Sequence, residues 1–326
     1  MGGSESLLIS RSLASDRSLL TQLIVVVSSL AQGRPSLAIG NIIGSAISNI
    51  LGAFSLGLIF GQDGKAAEFD NSSRVYAALT LVITTIVLPT SQLTQKTTSV
   101  AFGGSMIAIF AVYIISIGLA ISRGTLSAPE DSDSDSDSDS GTSSVDQTPR
   151  ETDALLPHAQ PSAPATIQPH HPRCRLVYHI AQLVFGFLAI SLAGVVLSRA
   201  AINIADATGI SDVTFGIVVL AIATTLPEKF IAVMSGRRGY VGILTANTAG
   251  SNIFLLALCL GIILVGASAA DFNHGNVNVT ELAVLWASTL GFTLTVWFGG
   301  KFGRWIGCLL LLGYLGFVVA EFTVIH

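Results

Sequence analysis

Charge is what this sequence lacks most. Of its 326 residues, 11% are Asp, Glu, Lys or Arg and 51% are hydrophobic, and the mean hydropathy is +0.69. Soluble domains carry about 25% charged residues, so a water-soluble globule is excluded and a lipid bilayer is the expected surrounding. Cysteine is scarce too. Cys174, Cys259 and Cys308 show no metal spacing, and the last two sit in apolar runs as small packing residues, which excludes a disulfide framework. A net charge of −4 without a basic cluster excludes a nucleic-acid partner. No Ser/His pairing, paired Asp or His-Glu zinc spacing occurs, and His179 stands alone at the start of an apolar run. Neither enzymatic chemistry nor a resident cofactor is expected.

Long apolar runs are abundant. A span needs about 20 mostly apolar residues. Nine are expected, at 18–32, 36–61, 75–93, 98–121, 176–198, 212–235, 241–267, 281–299 and 302–324. Between the fourth and fifth lies a different composition, with "EDSDSDSDSDSGTSS" and "PHAQPSAPATIQPHHP" inside 124–172. Too little apolar surface exists there to fold, so 122–175 is read as a disordered acidic loop, a solvated linker or phosphorylation target. Its Asp/Ser repeat lacks the turn glycine and fixed spacing of a calcium-binding loop.

Lys and Arg set the orientation. Arg11, Arg17, Lys65, Arg74, Arg123, Arg150, Arg173, Arg175, Arg237, Arg238, Lys301 and Arg304 fall on one side, against Arg34, Lys96 and Arg199 on the other. This bias puts the N-terminus and the acidic loop in the cytoplasm, and an odd span count leaves the C-terminus outside or lumenal. The sequon at Asn278 falls on that outer side but hugs the membrane. An internal membrane such as the vacuole is a candidate location, although no sorting signal marks one.

Displaced by 206 residues, "QLIVVVSSLAQGRPSLAIGNIIGSAIS" (22–48) aligns with "EKFIAVMSGRRGYVGILTANTAGSNIF" (228–254). Val27, Ser29, Gly33, Asn41, Gly44, Ser45 and Ile47 recur as Val233, Ser235, Gly239, Asn247, Gly250, Ser251 and Ile253. The copies lie five spans apart and therefore cross the membrane in opposite directions. Inverted repeats with polar, glycine-interrupted helices characterise secondary transporters, whose site lies where the repeats meet.

Thr224, Thr225 and Glu228 stand at i, i+1 and i+4 and share one helical face. Pro227 frees a backbone carbonyl nearby, tolerated at membrane depth only where it is buried or lines a cavity. Asn41, Ser45 and Asn49 make an i, i+4, i+8 stripe; its second copy reads Asn247, Ser251 and then Leu255. Such hard oxygens suit sodium, calcium, magnesium or manganese. Ser29 and Ser235 are read as interhelical hydrogen-bonding groups, worth about 0.6 kcal/mol each. A carboxylate at mid-membrane costs about 2.5 kcal/mol or more, so Glu228 is assigned a functional role. Lys229 is expected to point to another face and snorkel or pair.

These motifs resemble the cation/calcium exchanger superfamily, which contains the sodium/calcium exchangers. Ala223-Thr224-Thr225-Leu226-Pro227-Glu228 looks like that group's G-T-S-L-P-E stretch. Asn247, Gly250, Ser251 and Asn252 look like its G-N/D-x-x-G-S-N motif, as do Gly40, Asn41, Gly44, Ser45 and Asn49 in the first half. The resemblance implies an all-α fold of ten helices in two inverted halves joined by a cytoplasmic loop, and exchange of calcium against sodium or protons by alternating access. It implies a first half over 1–121 and a second over 176–326. Its ligands carry over to Glu228, Thr224, Thr225, Ser251, Ser45 and Asn49, with Asn41 and Asn247 added from the stripes.

There are departures. The first-half Glu is Gln22, its lead-in is "RSLLT", the second-half Asn/Asp is Leu255, and the first Gly-Ser-Asn ends in Ala46. Nine spans instead of ten means that the first helix is missing: either the chain is truncated or its start lies upstream of Met1. The matched positions leave one carboxylate, and no further acid is expected within the spans. A weakened calcium site follows, in which Glu228 holds a proton or a cation in turn. Three readings remain: a calcium exchanger, a transport-incompetent regulatory relative, and a transporter of another small cation.

Overall fold

The computed structural model describes residues 19–62, 67–92, 95–122, 172–267, 278–298 and 300–323. All regular structure among them is helical. The helices are α1 (Leu19–Ala31), α2 (Pro35–Ile59), α3 (Asn71–Val87), α4 (Lys96–Ser122), α5 (Pro172–Thr208), α6 (Asp212–Thr224), α7 (Leu226–Arg238), α8 (Val241–Gly266), α9 (Val279–Phe298) and α10 (Gly303–Thr323). Seven are long and apolar enough to cross a bilayer, or eight if the bent pair α6–α7 counts as one. Within the described residues, the run expected to span 18–32 forms α1, which over that stretch is shorter than the about 20 residues a span needs. Of the segment 122–175 expected to be disordered, residues 123–171 lie outside the described residues, while Ser122 ends α4 and residues 172–175 form the start of α5, because the apolar run that follows carries its helix back to Pro172.

The described parts of Met1–Asp131 and Phe187–His326 form one compact unit, so both halves of the chain share a core. From the other unit, Ser132–Gly186, only the start of α5 is described. Burial grades sharply among the long helices. The apolar window of α2 is 89% buried, that of α4 only 11%. Phe185, Leu192, Leu309 and Leu312 lie bare on α5 and α10, as side chains facing lipid do. Trp305 and Phe302 are exposed near the start of α10, where aromatic residues anchor at the membrane interface.

The two aligned segments adopt matching local structure. Helix α1 ends at Gly33 (φ 71°) and α7 at Gly239 (φ 77°), both left-handed, a conformation glycine adopts without a Cβ penalty. The closing bonds match as well: Arg34 N–H donates to Ser29 O at 3.0 Å and Tyr240 N–H to Ser235 O at 2.9 Å. This is the bond pattern of a Schellman cap. Helices α2 and α8 each widen into a π-helical stretch, at Ser48–Phe54 and Phe254–Cys259. The last turns of α2 pack against α10, and those of α8 against α4.

Small residues set how closely the central helices approach. A Cβ on Gly44 would collide with the Ile217 backbone, and one on Gly236 with the Gly57 backbone. Without a hydrophobic force between helices in lipid, such close packing supplies much of their association. Replacing Gly44 by Val is expected to destabilise the protein by about 1–3 kcal/mol or prevent assembly. Gly104, whose Cβ would meet open space, should accept Val silently. Thermal unfolding of the detergent-solubilised variants checks both.

Candidate functional site

Thr225 (φ −99°, ψ 10°) breaks the helix, and α6 and α7 meet there at 49°. Pro227 sits in the first turn of α7, where its missing N–H would be unbonded anyway. Glu228 follows in that turn. Its carboxylate therefore lies at the positive end of the helix dipole, which favours its charge. The side chain is 2% exposed.

The residue that meets Glu228 is its aligned counterpart. Gln22 Nε2 donates to Glu228 Oε1 at 3.2 Å, across 206 positions of sequence. A second aligned pair touches nearby: Asn252 Nδ2 donates to the Ala46 carbonyl at 3.1 Å, while Asn252 Oδ1 accepts from Asn49 Nδ2 at 3.0 Å. Asn252 closes the Gly-Ser-Asn motif but is not among the expected ligands. Its aligned partner is an alanine, which hid the pairing.

The threonines separate. Thr224 Oγ1 lies 3.3 Å from Ser45 Oγ and 3.3 Å from Asn41 Oδ1, on the face of α2 that carries the expected stripe. Thr225 Oγ1 turns elsewhere. It donates to Ala221 O at 2.6 Å and lies 3.0 Å from Ser48 Oγ. Lys229 Nζ donates to Ser48 Oγ at 2.8 Å and to Thr225 Oγ1 at 2.5 Å, and Tyr314 O–H donates to Ser48 at 3.0 Å. The expectation that Lys229 turns away is therefore not met. Its ammonium is drawn inward because two hydroxyls lie within reach of its stem. Ser48 could have been found in the sequence, since it stands three residues beyond Ser45.

Ser251 is buried on α8 without entering these bonds, and Asn247 is half-buried one turn earlier. Leu255 is fully buried. Gln22 Oε1 and Asn49 Oδ1 are buried acceptors with no donor among the described residues, and Asn41 Nδ2 is a buried donor with no acceptor.

Two further buried acids lie in the expected spans 281–299 and 302–324, where none was expected. Glu281 caps its own helix, accepting from Asn278 N–H at 3.1 Å. Glu321 Oε1 accepts from Thr214 Oγ1 at 3.4 Å. Thr214 precedes Thr224 by ten residues, about 15 Å of helical rise, so Glu321 is held away from Glu228. At the start of α2, Arg34 makes bidentate contacts of 3.0 Å to Asp212 and 2.9 Å to Asp206. Hydrogen bonds to Asp212, then to Asp206, push its guanidinium further above the ordinary arginine value.

A carboxylate and converging hydroxyls and amides, buried at a helix break inside a polytopic helical bundle, define an integral membrane transporter. The family model for "Sodium/calcium exchanger protein" matches residues 18–118 and 178–323, and the chain belongs to that family. It is 25% identical over 306 residues to the proposed antiporter CaxA of Alkalimonas amylolytica, covering 92% of this chain and 83% of that one. It is 29% identical over 147 residues to the sodium/calcium exchanger MaX1 of Methanosarcina acetivorans, covering 44% and 41%. Among solved structures, the sodium-calcium exchanger NCX_Mj soaked with sodium shares the fold at a TM-score of 0.58 and 19% identity, over 97% of this chain and 86% of that one. Native YfkE does so at 0.61 and 13%, over 97% and 83%. CaxA is named as an antiporter and MaX1 and NCX_Mj as exchangers, and the protein is not an enzyme.

Replacing Asn252 by Leu leaves the Asn49 amide and the Ala46 carbonyl buried without this partner. A loss of about 1–3 kcal/mol is expected, read as a lower unfolding temperature in detergent. An unchanged temperature would show that the contact contributes nothing.

Proposed function

We propose that the protein exchanges calcium against sodium or protons by alternating access, with Glu228 the charged group of the transport site. The observation that carries this reading is the buried acceptor set around Glu228. Leaving a buried acceptor without a partner costs about 1–3 kcal/mol, and Gln22 Oε1 and Asn49 Oδ1 are two such atoms. A cation among Glu228, Gln22, Asn49, Thr224 and Ser45 offsets that cost by accepting their lone pairs. Asn41, Ser251 and Asn247 complete the polar faces of α2 and α8 around it, and Thr225 holds the helix break. Hard oxygens of this kind fit calcium, sodium or a proton as cargo.

The matching caps and π-helical stretches support two inverted halves, with Glu228 near their common axis. Residues that touch their own counterparts, as Gln22 does Glu228, are those that lie close to a two-fold axis. Inverted halves meeting at a polar, broken helix are the architecture of alternating access. The short α1 with the bent pair and the seven long helices accords with nine crossings. Arg238 and Arg304 gather beside Gln62 at one end, and Arg34 lies in the short turn between α1 and α2. This supports a cytoplasmic N-terminus and acidic loop and an outer or lumenal C-terminus. The partners are cations and the surrounding lipid, with no nucleic acid and no resident cofactor.

Calcium-45 uptake into proteoliposomes under imposed sodium or proton gradients tests the reading. Gradient-driven uptake is expected in the wild type and should be abolished by Glu228→Gln. Gln22→Glu, which restores a second carboxylate, should raise it several-fold. Absence of uptake in folded, inserted wild type would contradict the reading and favour a regulatory relative, and uptake indifferent to Glu228→Gln would contradict the assignment of Glu228 as the site's charged group.

A further inference from the structure

Two hydroxyl pairs bridge α2 to the helix break, one from each of two adjacent threonines. Thr224 meets Ser45 at 3.3 Å, and Thr225 meets Ser48 at 3.0 Å. The first pair lies with the acceptors around Glu228. The second already holds a cation, because Lys229 Nζ contacts both of its oxygens. Thr225 spends its proton on Ala221 O, and Ser48 accepts from Tyr314. Both oxygens thus turn lone pairs toward the ammonium, as they would toward a metal ion.

The fold does not require this polar cluster. At the displacement of 206 residues, Lys229 corresponds to Leu23, Thr225 to Leu19 and Ser48 to Phe254, so the other copy is apolar at all three. Gly52 leaves the lysine its path, since a Cβ there would approach Lys229 Cε to 3.2 Å; its counterpart is Leu258. Four positions differ together, and the three beside Lys229 (Thr225, Ser48 and Gly52) are what an inward-turned lysine needs. Burying an ammonium at membrane depth costs several kcal/mol, which a purely structural staple could avoid by being apolar as in the other copy.

Building on the exchange reading, we infer that Lys229 is a tethered cation that fills the Thr225–Ser48 subsite in place of a transported ion. It neutralises the charge of neighbouring Glu228, so the site opposes a divalent ion more than a monovalent one. Lysine thereby sets selectivity, and calcium binds more weakly than the oxygen set alone would allow.

Equilibrium calcium-45 binding to the purified full-length protein tests this. Lys229→Met should bind calcium about tenfold or more tightly than wild type, because a fixed like charge beside the ion is removed. Lys229→Arg should stay near wild type. Adding Thr225→Val to Lys229→Met should reverse the gain. If Lys229→Met is not monodisperse, Lys229→Gln, whose amide still donates to the hydroxyls without charge, reads the same quantity. Calcium affinity unchanged or weakened in a folded neutral variant overturns the inference and makes the lysine a staple. The exchange reading itself fails separately: neither wild type nor Lys229→Met would then bind calcium in a manner lost on Glu228→Gln, and the tethered cation falls with it.

Discussion

A carboxylate buried in a membrane protein must be stabilised by the groups that surround it, since the bilayer supplies no water to do so. Glu228 obtains this from three directions. The break at Thr225 starts a new helix so that Glu228 lies in its first turn, with the backbone dipole pointing the favourable way. Gln22 donates to it from the other half of the chain. Lys229, the next residue, brings a positive charge to adjacent hydroxyls. The glycines of α2 then make sense as clearance, since α2 must approach α6 and α7 closely enough for Ser45 and Ser48 to reach the two threonines.

The two aligned segments share their caps and π-helical stretches but differ at the site itself. Gln22 faces Glu228, Ala46 faces Asn252, and an apolar trio corresponds to the lysine cluster. Each difference removes charge or polarity from one side. A site with two carboxylates would favour a divalent ion strongly, whereas one carboxylate beside an ammonium is close to neutral. The protein keeps the fold of its family, and under the proposed exchange reading its selectivity rests on a few named side chains.

Much of this was legible in the sequence because it depends on local rules. The apolar runs and the displacement of 206 residues follow from composition, hydropathy and repetition along the chain. Glu228 stood out because an acid in an apolar run is costly. What was not legible depends on contacts between distant segments. Thr224 and Thr225 read as one ligand set on a single face, yet the break at Thr225 sends their hydroxyls to different partners. Lys229 was assigned outward because helical periodicity ignores the hydroxyls waiting on α2. Asn252 was hidden by the alanine it meets, and Glu281 and Glu321 by their places near the ends of spans.

The central claim is that Glu228 alone carries the charge that binds the cation. Infrared difference spectroscopy of the purified protein during exchange of calcium or sodium for an inert buffer ion reads carboxylate vibrations directly. The account predicts one carboxylate signal on cation binding, absent from Glu228→Gln. A signal that persists in Glu228→Gln and disappears on replacing Glu281 or Glu321 would contradict it and move the cation to the other end of α6.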